Sequence, residues 1–307
     1  MRVLVVGAGG VGGYFGARLA RAGTPVTFLA RGAHLEAMRR DGLRIRSAVD
    51  GEWTVEADAV AGVADRPPAD VVLFCVKSFD TETAALAIRP AIGPDTAVVS
   101  LQNGVDNEET LDRILGDGHA VGGVAYVFAT IESPGVIAHS LAGRIVVGEL
   151  DGRASDRLET LRAALVQAGV PADVVGDIRR ALWEKYLLIS AQAGTTALTR
   201  APIGVIRAVP ETWAMYHTIV EELAAVARAA GVPLADGVAD SIVKAAQGLA
   251  PEALSSLYHD LVQGRRLELE ALHGHAVRLG QRLGVPTPTV LAVYAALKPH
   301  VDGRAAR

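Results

Sequence analysis

A cluster of glycines directly behind a short apolar segment constrains the fold of this chain more than any other feature. Val3–Val6 is apolar and rich in β-branched residues, and Gly7-Ala8-Gly9-Gly10-Val11-Gly12 follows it at once. Where a strand turns into a helix, glycines in this pattern allow the tight turn, the close approach of a pyrophosphate to the backbone, and close packing of the helix on the strand. A helix through Tyr14–Arg21 would offer its free N-terminal amides to the phosphates. With a second strand at Pro25–Leu29, the segment predicts a dinucleotide-binding βαβ unit.

The residues behind the second strand favour NADP(H) over NAD(H). NAD enzymes usually place Asp or Glu there, to accept hydrogen bonds from the ribose hydroxyls. This chain has Ala30-Arg31 instead, so no carboxylate repels a 2′-phosphate and a guanidinium fork is present to hold one. The alternative is that Arg31 is ordinary surface charge.

Short apolar strands recur through the N-terminal half and predict a doubly wound parallel sheet. They are expected at 43–46, 53–57, 71–76, 96–101, 120–130, 135–139, 144–148 and 171–175. Ligands of such sheets lie beyond the carboxyl ends of the strands. Lys77 and Asn103 each follow one of these ends, although Asn103-Gly104 is equally a common turn pair.

From Asp177 onward the strand signals end and long helical segments follow, punctuated by Pro and Gly. Helices are expected at 178–198, 212–230, 238–247, 265–283 and 289–298. The fold class predicted is therefore α/β, with a Rossmann-type domain at residues 1–176 and an all-helical substrate and dimerisation domain at residues 177–307.

Composition excludes several other classes. The net charge of −4 and the isoelectric point of about 6.1 lack the basic bias of a nucleic-acid binder. The single cysteine, Cys75, permits no intramolecular disulfide or multi-cysteine metal site and suits a reducing cytoplasm. No apolar run approaches the roughly 20 residues that span a bilayer, and we expect no signal peptide and no metal.

Two charged residues in the helical half are candidates for chemistry. Lys185 lies among apolar neighbours, and desolvation would prepare it as a proton donor or acceptor near neutral pH. A snorkelling lysine is the alternative. Glu268 and Glu270 stand two residues apart on a predicted helix, so at most one of them would share a site with Lys185.

Five segments in this order resemble the ketopantoate reductase family over nearly the whole chain. They are the Gly7 loop with Arg31, the strand ending at Lys77, the segment 101–104, the segment 182–185, and the segment 255–260 leading into 264–268. The serine at 256 precedes Glu268 by the spacing of the family motif.

The resemblance implies a role for each of these side chains. Lys185 would be the general acid that protonates the ketone oxygen, and Asn103 would orient it or the substrate. Glu268 would hold the polar network and the nicotinamide ribose side of the cleft. Ser256 would meet the substrate carboxylate, and Lys77 would line the cofactor cleft. A 2-oxo acid under reduction develops negative charge on its carbonyl oxygen, which needs such a proton donor.

One departure from the family bears on the substrate. The family motif carries asparagines four and eight residues after the lysine, where this chain has Ile189 and Ala193. Both lie on the Lys185 side of the helix, so the wall of the substrate pocket becomes apolar and its preference for a substrate hydroxyl should fall.

The resemblance implies NADPH-dependent reduction of 2-dehydropantoate to pantoate, in pantothenate biosynthesis, by a homodimer. Alternatives are a plainer 2-oxo acid, an imine or opine-type substrate, or a non-catalytic NADP-binding protein. The retained trio of Lys185, Asn103 and Glu268 argues against the last of these.

Overall fold

The computed structural model describes residues 1–303 and divides the chain into two compact units. The first comprises Met1–Gln102 and Asn107–Ile178, and the second comprises Asn103–Asp106 and the chain from Arg179 onward. The helical domain predicted from the sequence extends to residue 307, and residues 304–307 lie outside the described part. The short segment Asn103–Asp106 belongs with the helical unit although the chain on both sides of it belongs to the first.

The first unit is organised around one mixed sheet. In chain order its strands are β1 Val3–Val6, β2 Val26–Leu29, β3 Leu43–Ser47, β4 Gly51–Val55, β5 Asp58–Val60, β6 Ala69–Phe74, β7 Ile92–Ser100, β8 Ala120–Ser133, β9 Val136–Glu149 and β10 Ala172–Val174. Their order across the sheet is β4-β3-β9-β8-β7-β6-β1-β2-β5, with β10 also paired to β9. The pairs β3–β4 and β8–β9 are antiparallel and the others are parallel.

Strand β1 is buried on both faces. Val3 and Val5 belong to one apolar cluster and Leu4 and Val6 to another, as the alternation of side chains along a strand requires. The first unit covers the two faces with α1 Gly10–Arg21, α2 Gly32–Asp41, α3 Thr81–Ile88, α4 Asn107–Leu115 and α5 Asp156–Gln167. The predicted doubly wound sheet is therefore confirmed.

Strands β8 and β9 form a long hairpin that reaches over the start of α1. Sequence patterning predicted two separate strands at 135–139 and 144–148, but β9 runs unbroken because its pairing with β8 continues through register shifts. A Cβ at Gly10 would lie 1.9 Å from the Ala129 carbonyl oxygen, and one at Gly13 would lie 3.0 Å from a methylene carbon of Ile137. Glycine at both positions therefore lets the hairpin pack on the helix.

The second unit is helical, as predicted. Its helices are α6 Ile178–Thr199, α7 Ile203–Ala208, α8 Pro210–Ala229, α9 Val238–Gln247, α10 Ser256–Val262, α11 His275–Leu283 and α12 Pro288–Leu297, with a π-helical turn at Glu270–Gly274. Its core includes Tyr186, Leu187, Tyr216, Leu223 and Val290, each almost fully buried. Among the described helices, none has the length and apolar character needed to cross a membrane.

The helix predicted at 265–283 is wrong in its first turn. Residues 265–268 have no regular secondary structure, because Gly264 ends α10 with φ +65° and the Leu267 N–H donates to the Val301 carbonyl at 2.8 Å. Glu268 therefore lies in irregular backbone two residues before the π-helical turn, rather than within a helix. A π-helical turn at such a place is frequent at functional sites.

Replacing Gly10 by alanine is expected to destabilise the first unit. The new Cβ would overlap the backbone of Ala129, which cannot move aside as a flexible side chain could. We expect a loss of about 1–3 kcal/mol or more in the free energy of unfolding, measured by chemical denaturation. Gly9→Ala is the matched control, because no atom lies within 4 Å of its Cβ. Equal stabilities of the two variants would contradict the packing of the hairpin on α1.

Candidate functional site

The glycine loop between β1 and α1 has the shape expected of a phosphate-binding turn. Gly7 has φ +92°, its N–H donates to the Leu29 carbonyl, and a Cβ there would lie 2.9 Å from the Val76 nitrogen. A Cβ at Gly12 would lie 2.3 Å from the Gly7 oxygen. Both positions therefore require glycine for the turn and for the packing of α1 on β1.

Gly9 differs from these two glycines because it faces open space. No atom lies within 4 Å of a Cβ placed on it, so the approach to the loop backbone is clear. The helix α1 begins at the next residue and has no acidic residue in its first turn. Its N-terminal amides and the positive end of its dipole therefore suit an anion, and the loop fits a dinucleotide pyrophosphate.

Three predicted cofactor residues lie at one edge of the sheet. Strands β1, β2 and β6 are neighbours whose last residues, Val6, Leu29 and Phe74, are in register. Gly7 follows β1, Arg31 comes shortly after β2, and Lys77 shortly after β6. Because β1 is flanked by strands on its two sides that connect in different directions, this edge is the switch point at which such sheets bind ligands.

Arg31 has a carboxylate partner that sequence reasoning missed. Its side chain is 89% exposed, and its Nη2 donates to Asp80 Oδ2 at 2.9 Å. Asp80 is the last residue of the short 3₁₀ turn Ser78–Asp80. Its own N–H donates to the Lys77 carbonyl at 2.8 Å. The clue in the sequence was that Asp80 follows the end of the strand beside β1. The exposed guanidinium of Arg31 thus already has an anionic partner, Asp80.

Lys185 lies in the second unit on α6, where it is half-buried and its sequence neighbours Trp183, Tyr186 and Leu187 are buried. Burial lowers the pKa of its ammonium group to about 8, and the negative charge of Glu268 opposes that fall. Glu268 is itself only 5% exposed. A carboxylate and an amine thus share one poorly hydrated region, where each affects the charge of the other.

Glu270 has a different environment from Glu268. It accepts hydrogen bonds from Arg278 and the Tyr294 hydroxyl and pairs with Lys298. Burial acts to raise its pKa, but these three hydrogen bonds outweigh that effect and leave the pKa at about 2. Of the two glutamates, it is Glu268 whose charge acts on Lys185.

Asn103 and Ser256 also lie in the second unit. Asn103 opens the segment Asn103–Asp106, and Asp106 Oδ2 at its end lies 2.9 Å from Nδ1 of His275 on α11. Ser256 is the exposed first residue of α10. The serine before it is structural: Ser255 caps α10 through the Tyr258 N–H and hydrogen-bonds the Thr196 hydroxyl at 2.7 Å.

The α6 face beyond Lys185 is mixed in character. Ile189 is half-buried and Ala193 is buried, one and two turns along. Gln192, seven residues from Lys185, lies within about 20° of the same face. Its Nε2 is 3.5 Å from the Ala253 carbonyl. Helical spacing alone therefore places this amide close to the Lys185 face.

Comparisons with known proteins agree with the geometry. A family model for ketopantoate reductase PanE/ApbA matches residues 3–152, and one for the ketopantoate reductase C-terminal region matches residues 177–301. A 2-dehydropantoate 2-reductase of Mesorhizobium japonicum is 33% identical, with 97% of both chains covered. The crystal structure of a PanE/ApbA family ketopantoate reductase from Ralstonia eutropha JMP134 is 37% identical and covers 98% of each chain with a TM-score of 0.90.

A more distant structure shares the fold. A D-mandelate dehydrogenase solved with NADH and anilino(oxo)acetate is 20% identical, with a TM-score of 0.90 and 98% of both chains covered. The identities and coverage of the nearer relatives decide the family. Since family models match both halves of the chain, the protein belongs to the ketopantoate reductase family, dinucleotide-binding oxidoreductases that act on a CH–OH group.

Proposed function

We propose that this protein uses NADPH to reduce a 2-oxo acid to a 2-hydroxy acid, with 2-dehydropantoate as the substrate and pantoate as the product. One observation carries the proposal: the half-buried Lys185 has a pKa that desolvation lowers to about 8, and the negative charge of the buried Glu268 acts on it. A protein that only bound nucleotides would have no use for this costly arrangement of two charges in a poorly hydrated region.

Lys185 supplies the proton in the proposed reaction. NADPH, when bound, provides the hydride that reduces the carbonyl carbon. As that carbon is reduced, negative charge develops on its oxygen, and the Lys185 ammonium donates a proton to it. With a pKa of about 8, most of the lysine is protonated near neutral pH, yet it gives up its proton more readily than an ordinary lysine.

Glu268 and Asn103 support this proton transfer. The negative charge of Glu268 raises the pKa of Lys185 and so keeps the donor charged despite its burial. Asn103 offers an amide that orients the lysine or the substrate carbonyl, and Ser256 offers a hydroxyl to the substrate carboxylate. We assign these roles as part of the proposal, along with Lys77 in the cofactor cleft.

The cofactor preference rests on Arg31. Its exposed guanidinium can form charge-assisted hydrogen bonds to a 2′-phosphate, which NADPH carries and NADH lacks. Asp80 limits that preference, because its carboxylate already occupies Arg31 and repels the same phosphate. We propose NADPH as the preferred cofactor, with measurable turnover of NADH.

A second candidate substrate is a 2-oxo acid with a plainer hydrocarbon chain. The apolar Ile189 and the buried Ala193 favour it, since neither can bond a substrate hydroxyl. Gln192 favours 2-dehydropantoate, because its amide lies on the same helix face. A homodimer, a cytoplasmic location and a role in pantothenate biosynthesis stay predictions that accompany the proposal.

Replacing Lys185 by alanine should lower kcat by about 10²–10⁴-fold, the usual contribution of a general acid. In the wild-type protein, kcat/KM should fall as the pH rises through about 8, because only protonated Lys185 can donate. Glu268→Gln removes the charge that raises this pKa, so the fall should move to lower pH. Initial rates of NADPH oxidation with 2-dehydropantoate over this pH range measure both effects.

Lys244→Ala, at an exposed position on α9, is the matched control and should retain wild-type rates. Unchanged turnover in Lys185→Ala would exclude the proposed proton transfer. A profile that stays in place in Glu268→Gln would exclude the role given to that carboxylate.

Arg31→Ala should reduce the ratio of kcat/KM for NADPH to that for NADH by roughly 10- to 100-fold, the worth of charged hydrogen bonds of about 1.5–3 kcal/mol. Asp80→Asn should raise the same ratio, because it frees Arg31 and removes a repulsive charge. Arg40→Ala, which removes an exposed arginine paired with Asp41 on α2, should leave the ratio unchanged. Opposite or absent changes would contradict the assignment of the 2′-phosphate position.

A substrate panel distinguishes the candidates. We expect turnover of 2-dehydropantoate and of its analogue without the hydroxyl, and no dependence on added amine. Ile189→Asn should favour the hydroxylated substrate by about 1–3 kcal/mol, or roughly 10- to 200-fold in relative kcat/KM, whereas Ile189→Val should not. A requirement for an amine co-substrate would identify an imine or opine reaction instead.

A further inference from the structure

His34 joins three elements that surround the glycine loop. It lies in the first turn of α2, three residues after Arg31. Its Nε2 is 2.8 Å from the Ala8 carbonyl oxygen in the loop, and its Nδ1 is 3.0 Å from the Gly135 nitrogen in the turn of the β8–β9 hairpin. Both ring nitrogens are thus engaged by backbone groups that are distant in sequence.

These two contacts determine the protonation state of the ring. The Gly135 N–H can only donate, so Nδ1 must be the unprotonated nitrogen that accepts it. The Ala8 carbonyl can only accept, so Nε2 must carry the proton and donate it. His34 is therefore held as the neutral Nε2–H tautomer. Burial lowers its pKa and favours the same neutral form.

The bond to Ala8 affects Gly9 because of peptide geometry. The peptide between Ala8 and Gly9 is planar, so holding its carbonyl oxygen also fixes the plane that carries the Gly9 nitrogen. Gly9 is the loop residue that faces open space, where a pyrophosphate can approach. The hydrogen bond from His34 to the Ala8 carbonyl therefore also fixes the direction of the Gly9 N–H.

The contact to Gly135 secures the hairpin that covers α1. Gly135 has φ +79°, and a Cβ there would lie 2.9 Å from the Cβ of Ala37 on α2, so the turn packs closely on that helix. The same hairpin presses the Ala129 carbonyl against Gly10. His34 thus holds the loop from one side and the hairpin from the other.

Charged groups on the surrounding elements are engaged with one another, and the loop 7–10 contributes none. The pairs are Arg31–Asp80, Glu36–Arg39, Arg44–Glu52 and Arg46–Glu132. The titration of His34 is therefore governed by its burial and by its hydrogen bonds.

We propose that His34 is a positioning residue for the cofactor: by bridging Ala8 and Gly135 it sets the Gly9 peptide and the covering hairpin in the arrangement that binds the dinucleotide pyrophosphate. This proposal rests on the proposed function only in that a dinucleotide occupies the loop. It does not depend on the identity of the 2-oxo acid or on Lys185.

The test measures NADPH binding directly, by fluorescence titration of the complete protein without substrate. His34→Phe keeps a ring and removes both hydrogen bonds, and it should raise Kd by roughly 10-fold or more, as expected for buried polar groups left unpaired. His34→Gln keeps an amide donor for Ala8 and an acceptor oxygen, and should remain close to the wild type. In steady-state assays His34→Phe should raise the KM for NADPH and leave kcat at saturating NADPH within about twofold of the wild type.

A pH titration separates positioning from simple packing. Acidification protonates Nδ1 and turns it into a donor that faces the Gly135 N–H, so wild-type affinity should fall as the pH drops through the lowered pKa of His34. Glutamine cannot be protonated in this range, so His34→Gln should lack that fall. Ionisation of the 2′-phosphate, with a pKa near 6, affects both proteins equally and cancels in the comparison.

Each result decides the question. Equal Kd values for His34→Phe and wild type, or identical pH dependence in His34→Gln and wild type, would overturn the positioning role while leaving the proposed reductase intact. A wild-type protein that binds neither NADPH nor NADH would overturn the proposed function and this inference together. Thermal unfolding of the wild type, His34→Phe and His34→Gln without cofactor shows whether a variant with weaker NADPH binding is still folded.

Discussion

Burial of β1 on both faces is the constraint on which the rest of the first unit depends. Its alternate side chains enter two separate apolar clusters, so helices must cover the sheet on both sides. Strand β1 then has β2 on one side and β6 on the other, an arrangement that leaves a crevice at the carboxyl ends of such strands. The turn from β1 into α1 at this place requires glycine. A Cβ at Gly7 would lie 2.9 Å from the Val76 nitrogen, and one at Gly12 would lie 2.3 Å from the Gly7 oxygen.

Electrostatics gives the second unit its chemical character. A lysine on an apolar helix would lose its charge through desolvation, and the nearby carboxylate of Glu268 limits that loss. The balance leaves an amine whose pKa is about 8, as the proposed protonation of a carbonyl oxygen requires. Residues 265–268 have no regular secondary structure, and Glu268 at the end of this segment is buried. Glu270, two residues later, pairs instead with Arg278 and Lys298.

The proposed cofactor residues of the first unit and the proposed substrate residues of the second unit are determined to different degrees. Backbone geometry specifies the loop, and Arg31 with Asp80 provides two opposed charges where the cofactors differ. On α6, the apolar side chain of Ile189 favours one of the proposed substrates and the amide of Gln192 favours the other. Under the proposed function, affinity for the cofactor would depend on many backbone groups, whereas substrate choice would depend on a few side chains.

The amino-acid sequence by itself determined the βαβ unit, the α/β class, the helical second half and the family, because each is a local pattern of apolar spacing, glycine and motif order. It also identified Lys185, Glu268 and Arg31 as candidates. Only the tertiary structure decided that β9 is continuous, that Glu268 precedes a π-helical turn, that Asp80 pairs with Arg31 and that His34 bridges Ala8 and Gly135. The physical reason is that these features depend on contacts between residues far apart in the chain, and local spacing carries no information about which distant groups will meet.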